Sequence, residues 1–126
     1  MRFHDFHLAG YTVTDFGGTI ALDLVYDYPD QPRETSRIKF SDVAAYHFVH
    51  TGGAIITDID EIPVPHLLEK VGDQLAEWNR MHGLLHWDAD REQYAATLKE
   101  KGYRAWTIES AVGFEGFVIA KSVGDA

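Results

Sequence analysis

The stretch at residues 65–82, PHLLEKVGDQLAEWNRMH, constrains the fold more than any other part of the chain, because its apolar residues repeat with a helical period. The repeat runs in steps of four, four and three through Leu67, Val71, Leu75 and Trp78. That spacing places these side chains on one side of an α-helix, with charged residues on the other. A helix with one apolar stripe needs a partner layer, and the segments around it show strand patterns that supply one.

Strand alternation is the second strong signal. It is clearest at 19–27, where Ile20, Leu22 and Leu24 alternate with polar residues, as in a half-buried antiparallel strand. Gly52–Gly53 and Gly113 are predicted to form turns between strands. The seven predicted strands cover residues 4–14, 19–27, 35–41, 43–50, 54–62, 103–110 and 115–122. The segment 43–50 also suits a short helix, and residues 123–126 are predicted to fray.

A second helix is predicted at 89–101, with Asp88 or Asp90 as its cap. Strands joined by short turns favour an antiparallel sheet with the helices gathered on one side. A chain of 126 residues has the size of one domain. The sequence therefore predicts a single α+β domain over residues 1–126. Its largely antiparallel sheet has about seven strands, and two helices (65–82 and 89–101) are inserted before the last hairpin.

The charge balance limits the kinds of partner. The chain carries 20 acidic and 11 basic residues, a formal net charge of −9 with the histidines neutral. Repulsion from phosphates argues against nucleic acid, whereas an acidic surface attracts a basic protein. The absence of cysteine excludes disulfides, thiolate zinc sites and cysteine nucleophiles. No apolar run has the length of a signal-peptide core or a membrane span, so we expect a cytoplasmic protein without a membrane partner.

Asp58, Asp60 and Glu61 form an acidic group after a run of isoleucines. In a strand, Asp58 and Asp60 share one face and Ile59 takes the other. Paired carboxylates can transfer protons or bind a divalent cation, and charges on an exposed strand edge also prevent aggregation. No nucleophile elbow or phosphate-binding loop accompanies them. We therefore favour a non-enzymatic binding domain without a cofactor, in which these three residues attract a basic protein.

Seven histidines support an alternative hypothesis, a metal-binding protein or a small metal-dependent hydrolase. His4, His86 and Asp88 have the ligand types for a divalent metal ion, provided that the fold brings them together. Surface or hydrogen-bonded histidines are the more common outcome for any one of them. A third hypothesis is a small-ligand pocket between helix and sheet, lined by Trp78 and Trp106.

Three short segments carry a resemblance to known proteins: Phe3-His4-Asp5, the sequence GAIITDI at 53–59, and GFVIA at 116–120. They resemble small, mostly uncharacterised bacterial β-rich proteins, some of which are grouped with immunity proteins of polymorphic toxin systems. The second predicted helix has no counterpart in that resemblance. The resemblance implies a non-enzymatic protein that neutralises a toxin by binding it. Many such toxins are basic nucleases, which would give the acidic surface a role.

Overall fold

The structure, a computed structural model that describes residues 3–125, is built on an antiparallel sheet that curls around an apolar core. The predicted α+β class, with a mostly antiparallel sheet and two helices, is confirmed. In chain order the elements are β1 (Phe6–Thr14), β2 (Thr19–Tyr26), β3 (Glu34–Ser41), β4 (Ala45–Ile62), α1 (Val64–His82), α2 (Arg91–Glu100), β5 (Arg104–Ala120) and β6 (Ser122–Asp125).

The sheet has the strand order β5-β4-β1-β2-β3-β6. The first two strands form a hairpin with a turn at Asp15–Gly17, and their register shifts between Leu8 and Gly10. Strand β1 pairs with β4 and strand β2 pairs with β3. The hairpin therefore lies between β3 and β4 in the sheet, although these two strands follow each other in sequence. Strand β5 therefore lies at one edge of the sheet and β6 at the other.

Two predicted turns do not reverse the chain. Strand β4 runs through Gly52–Gly53 with a register shift between His50 and Ile55, so it replaces two predicted strands. Strand β5 likewise runs through Gly113, and the predicted last hairpin is wrong in this respect. The physical reason is that β4 and β5 pair with each other along most of their lengths, so both irregularities stay inside one ladder.

The segment predicted to fray contains a strand. Residues 122–125 form β6, which pairs antiparallel with β3 and places Val123 opposite Phe40. Val123 packs against the core, and this apolar contact together with the ladder explains why the segment is ordered. Ala126 lies outside the described residues.

The inner surface of the curled sheet is filled by apolar side chains. Phe40 and Trp106 meet edge to face with ring centroids 5.5 Å apart, and both are buried. Among residues 3–125, no polar or charged side chain is buried with them. The interior of the curled sheet is thus a packed apolar core.

The two helices pack against a second apolar cluster, formed with residues of β4 and β5. Leu67 and Leu75 of α1, Leu98 of α2 and Phe117 of β5 belong to this cluster. Helix α1 ends at His82, the predicted last residue, and Gly83 follows as its C-cap. The Asp90 side chain caps α2 by accepting hydrogen bonds from the backbone N–H groups of residues 92 and 93. Within the described part of the chain, neither helix has the length and apolar composition to cross a membrane.

Candidate functional site

A groove with a volume of about 680 Å³ lies between α1 and the β4–β5 ribbon. Helix α1 lines it with Leu67, Lys70, Val71 and Gln74. The strands line it with His47 and Val49 of β4 and with residues 107–110 and 114–117 of β5. The lining of the groove therefore combines apolar and polar side chains, and the groove is open to solvent. This mixture suits an extended protein segment, and we take the groove as the candidate site.

His47 is fixed in the wall of the groove. A hydrogen bond of 3.0 Å joins the side-chain amide nitrogen of Gln74 to the Nδ1 atom of His47. The ring also meets the edge of Trp78, with centroids 4.9 Å apart, and lies near Phe117. These contacts join α1 to the ribbon, so His47 holds the groove in shape. His47 was not identified from the sequence, because its contacts with α1 are non-local.

Asp58 and Asp60 lie beside the groove on the outer face of the ribbon. Ile59 is buried in the core opposite Ile108, and the alternation of a strand turns its two aspartate neighbours outward. Asp58 stands directly across the ladder from Glu109, and Asp60 stands across from Thr107. Thr107 and Glu109 line the groove themselves, so this face continues into it.

The pairing of Asp58 with Glu109 is unfavourable on its own. Like charges directly opposite each other in an antiparallel pair destabilise the sheet. The Asp58 carboxylate accepts a hydrogen bond from the backbone N–H of residue 59. Across residues 3–125, no lysine, arginine or histidine forms an ion pair with Asp58, Asp60, Glu109 or Glu115. We call these four residues the acidic face. Glu109 and Glu115 were not predicted, because strand register cannot be derived from one sequence.

Glu61, the third member of the predicted acidic group, has a different environment. Alternation places it on the other side of the strand, where Arg104 donates to both of its carboxylate oxygens, with an Nε–Oε2 distance of 2.8 Å. Arg104 also lies 5.0 Å from the centre of the Trp106 ring. The hydrogen bonds from Arg104 lower the pKa of Glu61 below its ordinary value of 4.5. Its charge is already balanced, so we do not include it in the acidic face.

The Glu61–Arg104 pair predicts a dependence of stability on pH. Because the pKa of Glu61 is lower in the folded protein than in the unfolded chain, its contribution is complete above about pH 4.5 and is lost as pH falls through the folded value. Glu61→Gln should lower the free energy of unfolding at neutral pH by less than about 1 kcal/mol, since the pair is partly exposed. Urea unfolding at neutral and acidic pH measures this, and the difference from wild type should shrink in acid. A difference that stays constant with pH would contradict the assignment.

The residues of the metal hypothesis do not form a site together. His4 lies 3.6 Å from Asp5 near the start of β1. His86 lies in the loop between the helices, near the ring of Tyr103, and Asp88 accepts a hydrogen bond from the backbone of Asp90. Nowhere between residues 3 and 125 are three histidine, aspartate or glutamate side chains grouped so that they could hold a metal ion.

The two tryptophans of the small-ligand hypothesis belong to different clusters. Trp106 packs in the core of the curled sheet, whereas Trp78 packs with the helices. They do not line a common pocket among those described. The groove beside Trp78 is instead bordered by charged residues.

Comparison with known proteins adds no relative. No protein-family model, curated protein or solved structure matches this chain. The resemblance to immunity proteins thus stays a prediction, and the functional argument rests on the groove and the acidic face.

Proposed function

We propose that this chain is a non-catalytic binding domain that holds a basic protein partner in the groove between α1 and the β4–β5 ribbon. The observation that carries the proposal is the acidic face. Asp58, Asp60, Glu109 and Glu115 lie on or beside the groove, and Lys70 is the basic residue that lines it. Cationic side chains of a partner would offset the repulsion between Asp58 and Glu109 and would be steered there by the negative field.

An immunity-type role is consistent with this arrangement. Neutralising a basic toxin requires a surface of opposite charge and no chemistry of its own. His47 in the groove is occupied by Gln74 and aromatic neighbours, which suits a structural role. An overall charge of −9 would also speed encounter with such a partner.

The proposal is tested with octalysine as the probe, in a titration followed by NMR of the labelled protein. We expect shifts concentrated at the groove, and we expect binding to weaken as salt rises. The variant Asp58→Lys, Asp60→Lys, Glu109→Lys should bind about tenfold or more weakly, because it converts three attractions into repulsions.

A matched control separates local charge from total charge. The variant Asp27→Lys, Asp30→Lys, Glu34→Lys changes the net charge by the same amount at exposed positions outside the groove. It should retain most of the wild-type affinity. Equal losses in the two variants, or no binding of octalysine to the wild type at low salt, would overturn the proposal.

A further inference from the structure

One edge of the sheet faces the groove. Strand β5 is one of the two edge strands of the sheet, and it pairs with β4 on one side. On its other side, no second strand pairs with it anywhere in residues 3–125. Alternate backbone N–H and C=O groups along such an edge are available to a further strand.

The lining of the groove shows where that edge is accessible. Four consecutive residues, 107–110, line the groove. Side chains of a strand alternate between the two faces, so four in a row indicate that the backbone itself borders the groove. Helix α1 forms the opposite wall of the groove through Val71 and Gln74.

The accessible stretch of the edge has a defined end. The Ser110 hydroxyl accepts a hydrogen bond from the Phe114 N–H over 3.1 Å and donates to the Phe114 carbonyl oxygen. These bonds use the backbone groups of Phe114, and Gly113 beside it has a φ of +84°. The regular edge is therefore interrupted after Ser110, and 107–110 is a regular stretch of edge that borders the groove on the near side of this interruption.

We infer that the basic partner enters the groove as an extended strand that pairs with the β5 edge at residues 107–110. This inference rests on the proposed function and specifies the form of its ligand. In a paired strand every second side chain would lie on the outer face, where Glu109, Asp58 and Asp60 are. The charge of that face selects lysine or arginine at alternate positions, while backbone hydrogen bonds supply affinity that does not depend on sequence.

Two synthetic peptides test the inference. The first alternates lysine and threonine over about eight residues, and the second has the same sequence with its central backbone nitrogens methylated. Methylation keeps the charges and removes the backbone donors. We expect the methylated peptide to bind at least about tenfold more weakly. We also expect the unmethylated peptide to slow hydrogen exchange of backbone amides within residues 107–110, measured by NMR.

The outcomes distinguish the inference from the proposed function. Equal binding of the two peptides, with no change in hydrogen exchange at 107–110, would overturn strand pairing and leave the electrostatic proposal standing. If neither peptide binds at low salt, the proposed function fails as well. Tighter binding of the unmethylated peptide with exchange slowed at 107–110 supports both.

Discussion

Replacing Phe40 with alanine should lower the free energy of unfolding by about 3–5 kcal/mol. Phe40 is 0 % exposed and its ring packs against Trp106, so truncation removes an aromatic contact and leaves a cavity. The surrounding side chains come from several strands of one curled sheet and cannot collapse freely into the space. Urea or thermal unfolding followed by tryptophan fluorescence measures the change.

Phe16 provides a matched control because it has the same side chain in the opposite environment. It is fully exposed in the turn between β1 and β2. Phe16→Ala should change stability by less than about 0.5 kcal/mol. Similar losses for Phe16→Ala and Phe40→Ala would show that Phe40 is not at the centre of the core.

Replacing Gly113 with alanine should destabilise the protein by about 2–4 kcal/mol. The backbone of Gly113 has a φ of +84°, a region that alanine avoids. A Cβ there would also lie 2.9 Å from the Cα atom and 3.0 Å from the nitrogen of Ala54. Both are backbone atoms of the neighbouring strand, which cannot move away as a flexible side chain would. Equilibrium unfolding measures the loss.

Gly52 is the control for the Gly113 variant, since it lies in the matching irregularity of β4. A Cβ at Gly52 meets no atom within 4 Å, and its φ is outside the left-handed range. Gly52→Ala should therefore change stability by less than about 1 kcal/mol. If Gly113→Ala is as mild as Gly52→Ala, the close approach of β5 to Ala54 is not a constraint.

The parts of the fold that could be predicted depend on local patterns. The helix at 65–82 has a period that is visible within a few turns, and its observed bounds differ by one residue at the start. Alternation likewise located β2, and Asp90 acts as one of the two predicted caps. Alternation also places Arg37 on the outer face of β3, where it lies opposite Asp23 with its Nε atom 3.7 Å from a carboxylate oxygen.

The errors arise where one local signal has two structural meanings. A glycine between two strand patterns indicates either a turn or a bulge, and only the partner strand decides between them. Gly113 lies within β5 beside Ala54 of β4, a residue distant in sequence, so the chain continues there instead of turning. Residues 123–126 show no strong sequence pattern, and the strand conformation of residues 123–125 depends on pairing with β3.

The candidate site could be predicted only in part for the same reason. Asp58 and Asp60 were identified from their spacing, and their common face follows from strand geometry alone. The residues that determine the local charge around this acidic group are distant from it in sequence. Glu109 adds charge opposite Asp58, whereas Arg104 removes Glu61 from the acidic face. Neither relation can be derived without the register of β4 against β5.

The pairing of β6 with β3 has a consequence for biosynthesis. Residues 34–41 are synthesised before residues 122–125, with which their outer edge pairs, and β4 is synthesised before β5, its partner beyond both helices. Until residues 122–125 have been synthesised, the outer edge of β3 lacks this partner strand. The complete sheet can therefore form only after nearly the whole described chain has been translated, because its pairings join residues that are far apart in sequence.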